Sequence, residues 1–393
     1  MSLPVLFLKK REERRLRAGH VWVFSNEVDT QRSPIKSFEP GSLAVIQASS
    51  GKPMGVGYVN PHSLICARLL TRRASEVPNK EWLQERIELA LNWRDQVYDT
   101  PYYRLAFGES DGLPGLVIDR FDDVFVVQIS TAGMERMRED IVSVLVDLFS
   151  PMGILFRNDT AMRGLEGLPS YVEVAYGDVS DTVQVLEDGI SFQIRPAQGQ
   201  KTGWFYDQRD NRERLLRYVK GRSVLDLFSY VGAWGMRAAK AGAKKVTCVD
   251  SSSIALMDAA TAAEDNDLKI RTVKSDVFDA LNQMKEEGDS YGVIVADPPA
   301  FIKRKKDQKE GQKAYLRLYQ TCMEILEPNG VLVAASCSSH YSHADLRQTL
   351  RLASLNAKRS IQIMEFGAQG PDHPMHPAIP ETQYLKAYYV RVI

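Results

Sequence analysis

The sequence predicts an α/β protein whose carboxyl-terminal half is a doubly wound open sheet, and three observations predict it. First, five strand-like stretches at 223–227, 245–250, 270–274, 292–296 and 330–335 are separated by helix-length intervals, the alternation that builds a mostly parallel sheet. Second, Asp226, Asp250, Asp276, Asp297 and Cys337 fall at the carboxyl ends of those stretches, where open sheets of this kind hold their ligands. Third, the run Leu225-Asp226-Leu227-Phe228-Ser229-Tyr230-Val231-Gly232-Ala233-Trp234-Gly235 leads from a strand through a small-residue turn into a helix, and the next strand ends at Asp250. These describe a βαβ unit with a nucleoside-cofactor site and a cysteine nucleophile beside it.

Composition sets the outer limits. The 393 residues, 44% of them hydrophobic, exceed one ordinary core and imply two or three domains. Fifty basic residues balance fifty acidic ones, so no overall field marks a nucleic-acid partner and local charge must carry that case. Cys66, Cys248, Cys322 and Cys337 have no disulfide or metal-site spacing. No apolar run approaches the roughly 20 residues of a membrane span, and the start lacks a signal peptide's apolar region. A reducing cytoplasm is the expected compartment.

Up to about residue 71 the chain reads as strands and turns around one early helix. That helix carries Lys9, Lys10, Arg11, Arg14, Arg15 and Arg17, then Gly19-His20-Val21-Trp22-Val23-Phe24 follows, with strands at 43–46, 54–59 and 64–70. Small barrels of this kind bind structured RNA through shape and phosphate contacts. The alternative is a solvated face diluted by Glu12 and Glu13. Between 72 and 188 a helix at 79–98 has Trp82, Ile87, Leu91 and Trp93 at roughly helical spacing, followed by strands at 103–107, 116–121, 124–130 and 153–158 around a helix at 134–149. The order suggests a small α+β subdomain, and the Gly- and Pro-rich turn at 108–115 reads as a structural hairpin without chemistry.

The chemistry lies in the last segment. A carboxylate ending the second strand can accept both vicinal hydroxyls of a ribose, which is the role expected of Asp250. Gly232 and Gly235 leave room for a ligand near the backbone, although Tyr230 stands where many such loops carry glycine. That loop alone fits a dinucleotide dehydrogenase equally well. Asp297-Pro298-Pro299 separates the two, because the prolines make a rigid turn that aims one carboxylate and several carbonyls into the cleft, for which hydride transfer has no obvious use.

With these residues the chain resembles the ribosomal RNA large subunit methyltransferase I family, S-adenosylmethionine-dependent and specific for cytosine carbon-5, over essentially its whole length. The resemblance is carried by the 19–24 segment, Gln200-Lys201-Thr202-Gly203-Trp204-Phe205-Tyr206-Asp207-Gln208-Arg209, Asp226-Leu227-Phe228-Ser229-Tyr230, Asp297-Pro298-Pro299-Ala300-Phe301, Ser336-Cys337-Ser338 and Asp372-His373-Pro374. It implies a PUA-like RNA-binding barrel at 1–72, an α+β central subdomain at 73–188 and a class I methyltransferase domain at 189–393. It also implies that Thr202, Gly203, Phe205 and Asp207 close over the methionine end of S-adenosylmethionine, with Asp226 and Gly232 framing it. Asp250 would hold the ribose and Asp276 the adenine amino group, with Phe228, Ser251 and Pro298 also against the cofactor and Asp297 facing both cofactor and base. Asp207 and Asp276 are alternatively helix caps.

Cytosine carbon-5 is a poor nucleophile, and the family's remedy is a thiolate that adds to carbon-6. Cys337 is the candidate, with Asp297 as hydrogen-bond partner to the ring and the amides after Cys337 as stabilisers of the thiolate. Cys66, Cys248 and Cys322 read as core. Ala300 and Phe301 follow the prolines where many RNA cytosine-5 methyltransferases carry a second cysteine, so the base that removes the carbon-5 proton is unassigned. Two alternatives stay open: methylation of an exocyclic or ring nitrogen of guanine in ribosomal RNA, and a ribosome-assembly factor that binds RNA without turnover. The exposed-looking run from Lys303, Arg304, Lys305 and Lys306 to Lys313 joins Lys10, Arg11, Arg14 and Arg15 as the expected contacts to large-subunit ribosomal RNA. His340, His343, His373 and His376 match no zinc spacing, so no metal is expected. No membrane partner is expected, and a homodimer is compatible with the sequence.

Overall fold

The computed structural model describes residues 3–393. The chain divides into two compact units: Met1–Val183 with Arg195–Trp204 and Pro371–Thr382, and Gln184–Ile194 with Phe205–Gly370 and Gln383–Ile393.

In the first unit, strands Val5–Phe7, Ser42–Gln47, Pro53–Val59, Ala67–Thr71 and Trp22–Val23 form one five-stranded sheet in that spatial order. Leu6, Leu8, Ala44, Ile46, Val59 and Leu69 fill its interior. The early basic helix is only Arg14–Arg17; Leu8 forms a bridge to Val28 and Lys10–Glu13 are turn or exposed coil, so the expected long basic helix face does not exist. A second sheet runs Tyr171–Gly177, Gly153–Asn158, Val124–Ile129, Leu116–Phe121, Tyr102–Phe107. Its first strand is not evident from the sequence, because Tyr171–Gly177 is an edge with an open face and lacks the continuous apolar run of a buried strand. Helix Lys80–Val97 starts where Asn79 accepts from the Trp82 amide; Trp82 and Ile87 are buried, whereas Trp93 is 49% exposed and outside the core. The single helix expected at 134–149 is two, Ala132–Arg136 and Arg138–Phe149, with a break at Met137.

The second unit holds a seven-stranded sheet. Its strands are β1 Ser223–Leu227, β2 Lys245–Asp250, β3 Arg271–Lys274, β4 Tyr291–Ala296, β5 Leu326–Ser336, β6 Ile361–Gly367 and β7 Lys386–Val392. In space they run β3-β2-β1-β4-β5-β7-β6, parallel except that β7 is antiparallel to both neighbours. The intervening helices are α1 Ala233–Lys240, α2 Ser253–Asp265, α3 Val277–Glu286, α4 Gln308–Glu324 and α5 His343–Asn356. Alternate residues serve opposite faces. Leu225, Leu227, Ile294, Leu332 and Ala334 pack into one cluster, and Val224, Val293, Val295, Val331 and Val333 into the other. The doubly wound fold is therefore a direct product of strands that are apolar on both faces. The chain order reverses at β1, whose neighbours are β2 and β4, and this switch point opens the cleft used by ligands in such sheets. Among the described residues, no helix is long and apolar enough to cross a membrane.

Candidate active site

The loop after β1 is built by left-handed backbone at Phe228, Tyr230 and Gly232, with φ of 59°, 51° and 75°. Only the last is glycine, so this turn carries backbone strain at two larger residues. Asp226, at the end of β1, is completely buried; its Oδ2 accepts from the Gly235 amide at 2.9 Å, while Oδ1 has no hydrogen-bond partner. Gly235 is obligatory, because a Cβ there would stand 2.5 Å from the Cys248 sulfur. Burial drives the Asp226 carboxyl up to about 8, opposed by the Gly235 amide and assisted by the charges of Asp297 and Asp250. Three strand-end carboxylates thus converge on one place.

Asp250 accepts from the Tyr230 amide at 2.9 Å and from the Ser252 amide at 2.8 Å, which fixes the carboxylate while leaving lone pairs for a diol. Ser251 beside it is exposed. Asp276 is the N-cap of α3, its Oδ1 accepting from Phe278 and Asp279, and it is exposed. The capping alternative for this residue is therefore realised. Asp207 is buried at the start of a short helical turn, and its Oδ2 accepts from the Tyr384 hydroxyl at 2.5 Å. The Phe205 ring meets Tyr230 edge-on at 5.7 Å.

Asp297, half-buried at the end of β4, accepts from the Trp234 indole at 3.2 Å, and Pro298 behind it is buried. Phe301 is engaged with other rings: Tyr315 at 4.8 Å and Phe228 and Phe278 at 6.3 Å each. One strand over, Cys337 is half-buried between two buried serines. Ser336 donates to the Tyr315 hydroxyl at 2.8 Å, that hydroxyl bonds Ser338 at 2.9 Å, and the Ser338 side chain accepts from the Ile302 amide at 3.2 Å. The Ser338 amide donates to Ser336 Oγ at 3.2 Å, so the first amide expected to stabilise a thiolate is already committed.

Thr202 and Gly203 belong to the first unit. Thr202 is buried there, its hydroxyl donating to Asp119 at 2.5 Å, which Arg104 also grips at 2.8 Å. Asp372 and His373 are likewise structural in that unit: Asp372 accepts the Arg104 amide at 3.0 Å and bonds the His373 ring at 2.8 Å. His343 bonds the Tyr388 hydroxyl and His376 Nδ1 accepts from the Ala378 amide. Cys66, Cys248 and Cys322 are buried, as expected of core thiols.

The comparisons agree with this architecture. Residues 6–72 match the model of a PUA-like domain, and residues 167–380 that of an S-adenosylmethionine-dependent methyltransferase. The chain is 36% identical over 395 residues, 99% of each chain, to the ribosomal RNA large subunit methyltransferase I of Aliivibrio fischeri (strain MJ11). It is 36% identical over 400 residues, 100% of each chain, to that of Aeromonas hydrophila. The chain belongs to the ribosomal RNA large subunit methyltransferase I family. In fold it is similar to a putative SAM-dependent methyltransferase from Streptococcus mutans, with TM-score 0.83, 21% identity and coverage of 99% and 100%. The putative methyltransferase SMU.776, complexed with SAH, has TM-score 0.84 at 21% identity and the same coverage.

S-adenosylmethionine is the cofactor of this methyltransferase, and the residues present fit it. The cofactor is a cation with a ribose diol, and the second unit offers the buried, unpartnered Asp226 oxygen, a convergent carboxylate group, and an Asp250 preset by two amides. Three residues that bond to the candidate site residues or their flanking serines are not evident from the sequence. Trp234 and Tyr315 were hidden in apolar helix faces, where aromatic residues read as core. Lys386 did leave a signal: a lone cation within the otherwise apolar run Leu385-Lys386-Ala387-Tyr388-Tyr389-Val390.

Proposed function

We propose that this methyltransferase modifies carbon-5 of a cytosine in large-subunit ribosomal RNA through a covalent adduct on Cys337. The single observation that carries the reading is the placement of Cys337: a half-buried thiol on a loop locked by Ser336, Ser338 and Tyr315, one strand from Asp297 at the cofactor-side end of the sheet. Bound S-adenosylmethionine supplies an electrophilic methyl group; Asp226, Gly232, Asp250, Ser251 and Asp276 are proposed to hold it, with Phe205, Asp207, Phe228 and Pro298 beside them. Thr202 and Gly203 enter as supports of the segment preceding Phe205. The Cys337 thiolate adds to carbon-6 of the cytosine, the ring electrons shift to carbon-5, and carbon-5 becomes nucleophilic. Asp297, which accepts from the Trp234 indole, is proposed to hydrogen-bond the ring as charge redistributes. Carbon-5 takes the methyl group as the sulfonium carbon–sulfur bond breaks and S-adenosylhomocysteine leaves; the carbon-5 proton then passes to water, its electron pair re-forms the carbon-5 to carbon-6 double bond, and the thiolate is expelled from carbon-6.

The substrate class is supported by the relatives at 36% identity, whose names specify large-subunit ribosomal RNA. A nitrogen-directed reaction is disfavoured by Phe301: the aromatic ring near the prolines packs against Phe228, Phe278 and Tyr315 instead of standing as a stacking plate for a base. The experiment is a trap. Incubated with cofactor and RNA bearing 5-fluorocytosine at the target, wild-type protein should form a stable covalent complex, since fluorine cannot leave as the proton does. Cys337→Ala should trap nothing and lose methyl transfer by at least about a thousandfold while still binding S-adenosylhomocysteine. Retained transfer in that variant would remove the covalent reading and leave nitrogen methylation in its place.

A further inference from the structure

Lys386 is a buried charge for which the reaction above has no use. It is 4% exposed at the start of β7, directly across the ladder from Ser336. Its Nζ donates to the Ser338 carbonyl at 2.7 Å, the carbonyl immediately after Cys337, and an ammonium has two further donors. We infer that Lys386 is a positioning residue whose ammonium keeps Cys337 in its thiolate form and pins the loop that presents it. The inference rests on the assignment of Cys337 as nucleophile.

Ionisation of a half-buried thiol needs a compensating charge, and the amide that follows it in the chain, that of Ser338, already serves Ser336. Lys386, whose ammonium holds the carbonyl of the residue after Cys337, can supply that charge among the groups that face the loop. From α4 comes Tyr315, whose hydroxyl stays protonated because burial raises it, with Cys337 adding to that rise. From α5 come His343, pushed down by burial and by the charges of Lys386 and Arg347, Asp345, which is committed to capping Ser342, and Arg347, which is exposed. Tyr388, further along β7, is raised by burial, and Asp297 ends β4 as another acidic group. Lys386 is thus the buried cation of this neighbourhood. Burial lowers it to about 8 against the upward push of Cys337 and Asp345, so the ammonium persists at neutral pH. Electrostatic coupling is reciprocal: what favours the ammonium beside a thiolate equally favours the thiolate beside the ammonium. The thiol proton passes to solvent, Lys386 keeps its three protons, and no other bond changes.

The test reads the thiol without requiring methyl transfer. Full-length protein is treated with iodoacetamide across pH 5 to 10, and Cys337 modification is followed by peptide mass spectrometry, the other three cysteines being buried. Lys386→Met should move the midpoint of the alkylation profile up by about one pH unit and slow modification at pH 7 by about tenfold, while Lys386→Arg stays near wild type. Titration with S-adenosylhomocysteine shows that each variant is folded. Should Lys386→Met fail to fold, the reciprocal measurement remains: the Lys386 side-chain NMR titration should move down in Cys337→Ala. An alkylation profile unmoved in Lys386→Met, or a Lys386 titration unmoved in Cys337→Ala, overturns the inference. Active Cys337→Ala protein would sink the nucleophile assignment alone, leaving the alkylation profiles to report on the ion pair.

Discussion

A carboxylic acid that retains its proton near neutrality is costly to build, and Asp226 is such a group. It is completely buried, one oxygen lacks a partner, and burial with Asp297 and Asp250 nearby raises it to about 8. The sign of the stability effect follows from proton counts. Between about pH 4 and 8 the folded chain holds this proton and the unfolded chain has released it, so stability is fully present below the ordinary carboxyl range and declines as pH rises towards 8. Asp226→Asn keeps an acceptor for the Gly235 amide and removes the titration. The cofactor-free variant should therefore match wild type near pH 4 and be more stable at pH 8, by a few kcal/mol at most, read as a higher melting temperature. A melting difference that stays constant with pH would show that Asp226 does not titrate in this range.

At the scale of elements, one buried carboxylate organises the start of the second unit. Glu187, from strand Val183–Glu187, pairs bidentately with Arg212 at 2.6 and 2.5 Å and also meets Arg237 of α1 at 3.2 Å. Burial alone would raise it, but Arg212 and the neighbouring arginines leave it below the usual carboxylate range, so its contribution is present above that range and fades as pH falls through it. Glu187→Gln removes the bidentate partner of the buried Arg212 guanidinium, while Arg237 keeps Asp188 and Glu213, and should cost about 3–5 kcal/mol, measured as a fall in the urea midpoint. A midpoint unchanged at pH 7 would mean that other partners satisfy those arginines. Nothing in the sequence singles out Glu187, because its partners lie 25 and 50 positions away. The β1 to β5 strands were legible for the opposite reason: the alternation of strand and helix lengths and the Asp or Cys at each strand end are local in sequence. β6 and β7 were not, since β6 is largely exposed and β7 contains Lys386. The loop after β1 was half legible. Gly232 announced a left-handed position, but Phe228 and Tyr230 occupy two more against their intrinsic preference, held there by the fold.

For the molecule as a whole, the chain returns to its first unit after building most of the second, since segment Pro371–Thr382 packs with the amino-terminal part before β7 completes the sheet. Asp372-His373-Pro374, quoted among the resembling motifs, is then a tie within the first unit, where Arg94 also donates to the Asp372 carbonyl at 2.9 Å. RNA affinity has to come from local charge, as the fifty cations and fifty anions cancel overall. Two exposed groups remain suited to it: Lys10, Arg11 and Arg14 in the first unit, and Lys303, Lys305 and Lys306 in the second. Arg15 leaves the first group, because it donates to the Trp22 carbonyl, pairs with Glu27 and lies over the Phe24 ring. Arg304 is paired with Asp307 at 3.1 Å. Reversing Lys303, Lys305 and Lys306 to Glu should weaken RNA binding and flatten the slope of log affinity against log salt by about 2 to 3, as expected for three lost phosphate contacts. Reversing Lys10, Arg11 and Arg14 should flatten it by a similar amount, and S-adenosylhomocysteine affinity should stay constant in both. A slope unchanged in one variant makes that group a solvated surface, and unchanged slopes in both would place the phosphate contacts on other residues.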